Sequence, residues 1–161
     1  MVKHLGAIFV FLTLIGIASH RSGILKKNLF HLIFAFFVGL VYVWIFNDGF
    51  VVFNPLNYIV YLYIYAMVLC EELTFRYVLM KEGEAFFPSK TVAIFTVAAV
   101  FALCHYFNLL HQPVEHTNGQ VTVAFIMGLI LYGCTRLFKN RLAGVIPHLL
   151  FNLTFGMSDW F

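Results

Sequence analysis

Six long apolar stretches limit what this chain can fold into: residues 5–19, 29–46, 56–80, 91–110, 120–138 and 143–161. A helix needs about 20 apolar residues to cross the hydrocarbon core of a bilayer, and most of the six approach that length. Strict alternation of polar and apolar residues is absent, which argues against a β-barrel. Hydrophobic residues make up 62% of the 161 residues and charged residues only 11%. A soluble domain carries about 25% charged residues, so the uncovered apolar surface has to face lipid. Backbone polar groups in lipid are satisfied inside helices. The expected fold is an all-α, polytopic integral membrane protein of about six transmembrane helices with a polar site inside the bundle.

The basic residues set an orientation. Arg21, Lys26, Lys27, Lys81, Lys90, Arg136, Lys139 and Arg141 lie in segments that share one side if all six stretches span. The opposite loops, FNDGFVVFNP and HQPVEHTNG, hold no Lys or Arg. The positive-inside rule then places the basic loops in the cytoplasm and both termini outside. The net charge of +3 reflects this bias, and no nucleic-acid-binding patch is visible. Lys3, a short apolar run and small residues also resemble a signal peptide over 1–19, but the basic cluster after it would resist export. Cys70, Cys104 and Cys134 lack metal-type spacing and read as packing residues.

The third stretch is the costly one. It carries Glu71, Glu72 and Arg76 in the segment CEELTFR. A central charge costs about 2.5–3.5 kcal/mol on insertion scales, so three cost roughly 8–10, whereas the stretch's Leu, Ile, Phe and Val residues return about 3–7. Such a helix must bury its polar face, and ionisable residues in that setting are functional candidates. Glu72 and Arg76 are four apart and share a face, which predicts a buried ion pair that fixes helix packing. Glu71 is rotated about 100° from Glu72 and points elsewhere.

Three further polar residues sit on apolar helices: His105 in FALCH, and His148 and Asn152 in HLLFN. Each alone reads as a satisfied core group or interhelical glue. One carboxylate, two histidines and an amide together suggest a buried polar centre. Peptide hydrolysis needs a base to activate water and donors for the oxyanion. A glutamate hydrogen-bonded to a histidine suits the first task; a second histidine and an asparagine amide suit the second. Glu and two His could instead hold zinc with an open position, although H-E-x-x-H is absent. Pro147, four residues into the last stretch, is expected to loosen a helix starting near 143.

The order E-E-x-x-x-R (71–76), F-x-x-x-H (101–105) and H-x-x-x-N (148–152) resembles the CPBP (Abi) family of intramembrane proteases. That family includes CAAX prenyl endopeptidases and bacterial proteins linked to bacteriocin processing and self-immunity. The resemblance covers 56–161, the expected catalytic core of helices 3–6; residues 1–55, with helices 1–2, lie outside it. It implies a glutamate-dependent endopeptidase in the membrane. Glu71 would be the general base, assisted by His105; His148 and Asn152 would form the oxyanion hole; Glu72 and Arg76 would support the site. The implied partners are the bilayer and a membrane-embedded or membrane-anchored peptide, with no cofactor required and zinc as the alternative. Tyr77 stands where the family often has glycine. The chain is also short beside the prenyl endopeptidases, which points away from a CAAX substrate. A non-catalytic immunity or scaffold protein of the same fold and a proton-coupled helper are the rival functions.

Overall fold

The computed structural model describes residues 24–46, 55–110 and 112–156. The expected span at 5–19, its signal-peptide alternative, the loop at 47–54 and both termini lie outside these residues. All regular structure among the described residues is helical, with no strand. The elements are α1 (Ile24–Phe46), α2 (Pro55–Glu72), a π-helical segment (Leu73–Leu79), α3 (Met80–Phe86), α4 (Lys90–Cys104), a 3-10 segment (His105–Leu110), α5 (Val114–Leu137), α6 (Val145–Phe151) and a second π-helical segment (Asn152–Gly156). They divide into two compact units, Met1–Thr74 with Leu142–Phe161, and Phe75–Arg141.

Three helices are long and apolar enough to cross a membrane among the described residues: Lys26–Ile45, Lys90–Leu110 and Val114–Leu137; Val145–Phe155 is a shorter apolar helix. The expected count of about six is therefore not reached there. The 56–80 stretch is no single apolar rod. Its α2 portion includes four tyrosines and ends on two glutamates, and the backbone then changes helix type. Two boundaries also move. Lys26 and Lys27 belong to the first turns of α1 and not to a preceding loop. Residues 114–119, expected as loop, are already α5, opened by Pro113, whose extended backbone stands at the cap position.

In the first unit α1, α2 and α6 pack against one another. Large apolar side chains on α1 at Phe30, Phe34, Phe37, Val41 and Ile45 are exposed. Their spacing of three and four residues makes one helical stripe, the face a bilayer covers. The opposite face holds buried Leu32, Ala35 and Val43. Tyrosines fasten it: Tyr61 donates its hydroxyl to Phe36 O, and Tyr65 donates to Leu32 O at 2.9 Å. Both rings pack on Phe36. His31 donates from Nε2 to Leu142 O at 2.9 Å, tying α1 to the chain that enters α6. No feature of the N-terminal third of the sequence had marked His31 for this role.

Gly39 lets these helices meet. A Cβ there would stand 2.6 Å from Leu149 Cδ2 and 2.9 Å from the Tyr61 ring, closer than any side chain tolerates. The second unit uses the same device between α4 and α5, where a Cβ on Gly128 would lie 3.2 Å from Ala98 Cβ. Around that contact Phe75, Met80, Val97, Phe101, Ala102, Ala124 and Tyr132 form one apolar cluster, with Cys104 packed against it. Ser89 caps α4 by accepting from Val92 N–H at 3.2 Å.

Replacing Gly39 by Val overpacks the α1–α2–α6 contact. The expected loss is about 1–3 kcal/mol of folding free energy, read as a lower denaturation midpoint in detergent micelles. An unchanged midpoint would contradict the close approach.

Candidate active site

The first unit assembles its polar centre from α2 and α6. Glu71 and Glu72 are the last residues of α2, just before the π-helical segment. α6 starts at Val145, later than the sequence suggested, so Pro147 is its third residue. The N–H that proline lacks has no intrahelical partner in a first turn anyway, so Pro147 fits the start of the helix and does not loosen it. His148 follows, and its N–H bonds Gly144 O at 3.0 Å. Asn152 sits one turn on, its N–H directed to His148 O and Leu149 O. The two side chains therefore keep the shared face that their spacing predicts.

The imidazole of His148 lies between two carboxylates. Nδ1–H donates to Glu72 Oε1 at 2.9 Å, and Nε2 stands 3.4 Å from Glu71 Oε2. The first distance is that of a full hydrogen bond; the second is an ion-pair contact longer than one. Burial separates the two glutamates. The Glu72 side chain is 0% exposed, Glu71 retains 18%, and His148 retains 6%. Glu72 is placed to hold the ring, and Glu71 is the carboxylate that a water or a substrate can reach.

This geometry limits where protons sit. The Glu72 bond uses the Nδ1 proton. Nε2 then either bears a proton directed toward Glu71 or presents a lone pair to a proton on Glu71. One proton thus serves two groups, the arrangement of a proton-transfer pair. Asn152 is half-buried, and among the described residues its side-chain amide makes no hydrogen bond.

The other motif residues, Arg76 and His105, belong to the second unit. Arg76 is 2% exposed, and its guanidinium carbon lies 4.7 Å from the centroid of the Phe101 ring, within range of a cation–π contact. Phe101 also supports His105 twice. Its carbonyl accepts from His105 Nδ1–H at 3.1 Å, and the two rings pack edge to face at 5.2 Å. In the neutral ring, donation through Nδ1–H selects the tautomer whose Nε2 carries the lone pair. His105 stands where α4 gives way to the 3-10 segment.

Two contacts were not legible beforehand. The sequence expected Glu72 to share a face with Arg76 on α-helical spacing; the backbone changes to π-helix directly after Glu72. A partner of Glu72 is His148, 76 residues away, a separation no local rule reaches. Phe101 entered only as a letter of a motif; its four-residue spacing from His105 was the available signal. Among the described residues no group of three or more His, Cys, Asp or Glu side chains is set to hold a metal ion.

Removing either partner of the His148–Glu72 bond takes a buried hydrogen bond from the other, at a cost of about 1–3 kcal/mol. A double-mutant cycle with Glu72→Ala and His148→Ala, followed by denaturation in mixed micelles, is expected to give a coupling of about 1 kcal/mol or more. Additive effects would contradict the pairing.

Among proteins of known family, the model described as type II CAAX prenyl endopeptidase Rce1-like matches residues 53–154. No curated protein and no solved structure matches the chain. The matched region holds every motif residue named above.

Proposed function

Because the chain belongs to the type II CAAX prenyl endopeptidase Rce1-like family, we propose that it is an intramembrane endopeptidase of the bacterial inner membrane in which Glu71 activates the hydrolytic water. The observation that carries this reading is His148 set between buried Glu72 and accessible Glu71. The substrate class is a peptide embedded in the membrane or anchored to it by a lipid, which suits a site on apolar helices.

The steps follow from the groups. Water attacks the scissile carbonyl carbon as Glu71 takes one of its protons; the carbonyl π electrons move to oxygen. The developing oxyanion needs donors that are already in place. A proton on His148 Nε2, with Nδ1–H held by Glu72, is one donor, and the Asn152 amide is the other. Collapse of the tetrahedral species breaks the C–N bond, and the proton on Glu71 passes to the leaving amine. His105 offers its Nε2 lone pair as a second acceptor for the water, the role the family motif assigns to it. Glu72 and Arg76 hold ring positions: Glu72 through His148, Arg76 through Phe101.

The test uses purified protein in nanodiscs with two probes, a farnesylated CAAX peptide and an unprenylated membrane-anchored peptide. Glu71→Gln is expected to lower turnover of whichever probe is cleaved by about 100-fold or more, with Glu72→Gln less damaging. Undiminished cleavage by Glu71→Gln would overturn the assignment.

Dialysis against a chelator is expected to leave turnover unchanged. Activity lost on chelation and restored by zinc would replace water activation by Glu71 with metal chemistry.

A further inference from the structure

At one end of α5 the second unit encloses a cavity of about 330 Å³, within the range of small-ligand pockets. Arg76, Arg136, Lys139 and Arg141 line it, with Glu84 as the single carboxylate. Glu84 is already engaged at both oxygens: Arg141 Nη2 donates to Oε2 and the Tyr132 hydroxyl donates to Oε1, each at 3.1 Å. Even with Arg76 set aside, Arg136, Lys139 and Arg141 against Glu84 leave an excess of two positive charges. Such crowding is unfavourable unless an anion offsets it.

The backbone at this place adds a second observation. Lys139 has φ of 51°, the one non-glycine residue with positive φ among the described residues. It follows the C-terminus of α5, where the N–H of Phe138 bonds Cys134 O. Glycine or asparagine usually takes such a position, because a Cβ is disfavoured there. A lysine kept in that conformation at the cavity mouth adds a cation at a conformational cost glycine would avoid.

Position says what kind of anion fits. Arg136 lies in the last turn of Val114–Leu137, a helix long and apolar enough to span. The cavity is therefore at the level where a span meets the headgroups. Beside its cations, Leu137 is 76% and Phe138 66% exposed. Cations that take phosphate oxygens, next to bare apolar side chains that take acyl chains, match a phospholipid. A free phosphate ion would leave the apolar pair without a purpose. We propose that this cavity is a headgroup site for an anionic phospholipid, independent of the peptidase reading.

Native mass spectrometry of the full chain in nanodiscs of phosphatidylcholine doped with phosphatidylglycerol tests this. Arg136 and Lys139 are exposed, so Arg136→Gln/Lys139→Gln keeps the fold, with helicity as the check. At about fivefold per basic residue, the pair is expected to lower retained phosphatidylglycerol about 25-fold. Lys81→Gln/Lys90→Gln removes two equally exposed lysines outside the cavity and is expected to retain the lipid. Equal loss in both variants, or retention in the first, would overturn the proposal. So would displacement of the lipid by inorganic phosphate at millimolar concentration, which would mark a free-anion site.

Discussion

The polar centre depends on one buried hydrogen bond, from His148 Nδ1–H to the fully buried Glu72. A carboxylate with no exposed surface in an apolar bundle is tolerable only with donors at hand. The imidazole supplies one, and in doing so its ring orientation is fixed. The second nitrogen is thereby turned toward Glu71. Two adjacent glutamates, equal in sequence, acquire different tasks from burial alone: the enclosed one positions and the accessible one meets solvent.

The helices change type where the motif residues stand. Glu71 and Glu72 precede a π-helical segment, His105 opens a 3-10 segment, and Asn152 opens a second π-helical segment. Changes of helix type frequently accompany functional sites, because a local change of turn re-aims side chains that a uniform helix would spread around its axis. Irregular backbone at membrane depth is tolerated where protein or a polar cavity satisfies it. The tight contacts at Gly39 and Gly128 and the tyrosine hydroxyls on α1 carbonyls hold the surrounding helices while the motif segments deviate.

Much of this was legible in the sequence. Apolar length and low charge gave the all-helical membrane class, and three spaced motifs gave the family that the match over residues 53–154 shows. The His148–Asn152 face followed from a four-residue spacing inside one helix. The change of helix type after Glu72 was not legible, because hydropathy does not report helix type. The His148–Glu72 bond joins residues far apart in the chain and has no local signature. His31 and Phe101 act through backbone carbonyls, contacts that composition and periodicity do not encode.

The central claim, that Glu71 delivers water directly to the scissile carbonyl, is tested most directly by a single turnover in oxygen-18 water. Direct attack predicts one heavy oxygen in the new carboxyl group of the product in the first turnover, with none in the protein. An unlabelled product with heavy oxygen in the Glu71 carboxylate would show that Glu71 attacks the substrate itself and would contradict the account.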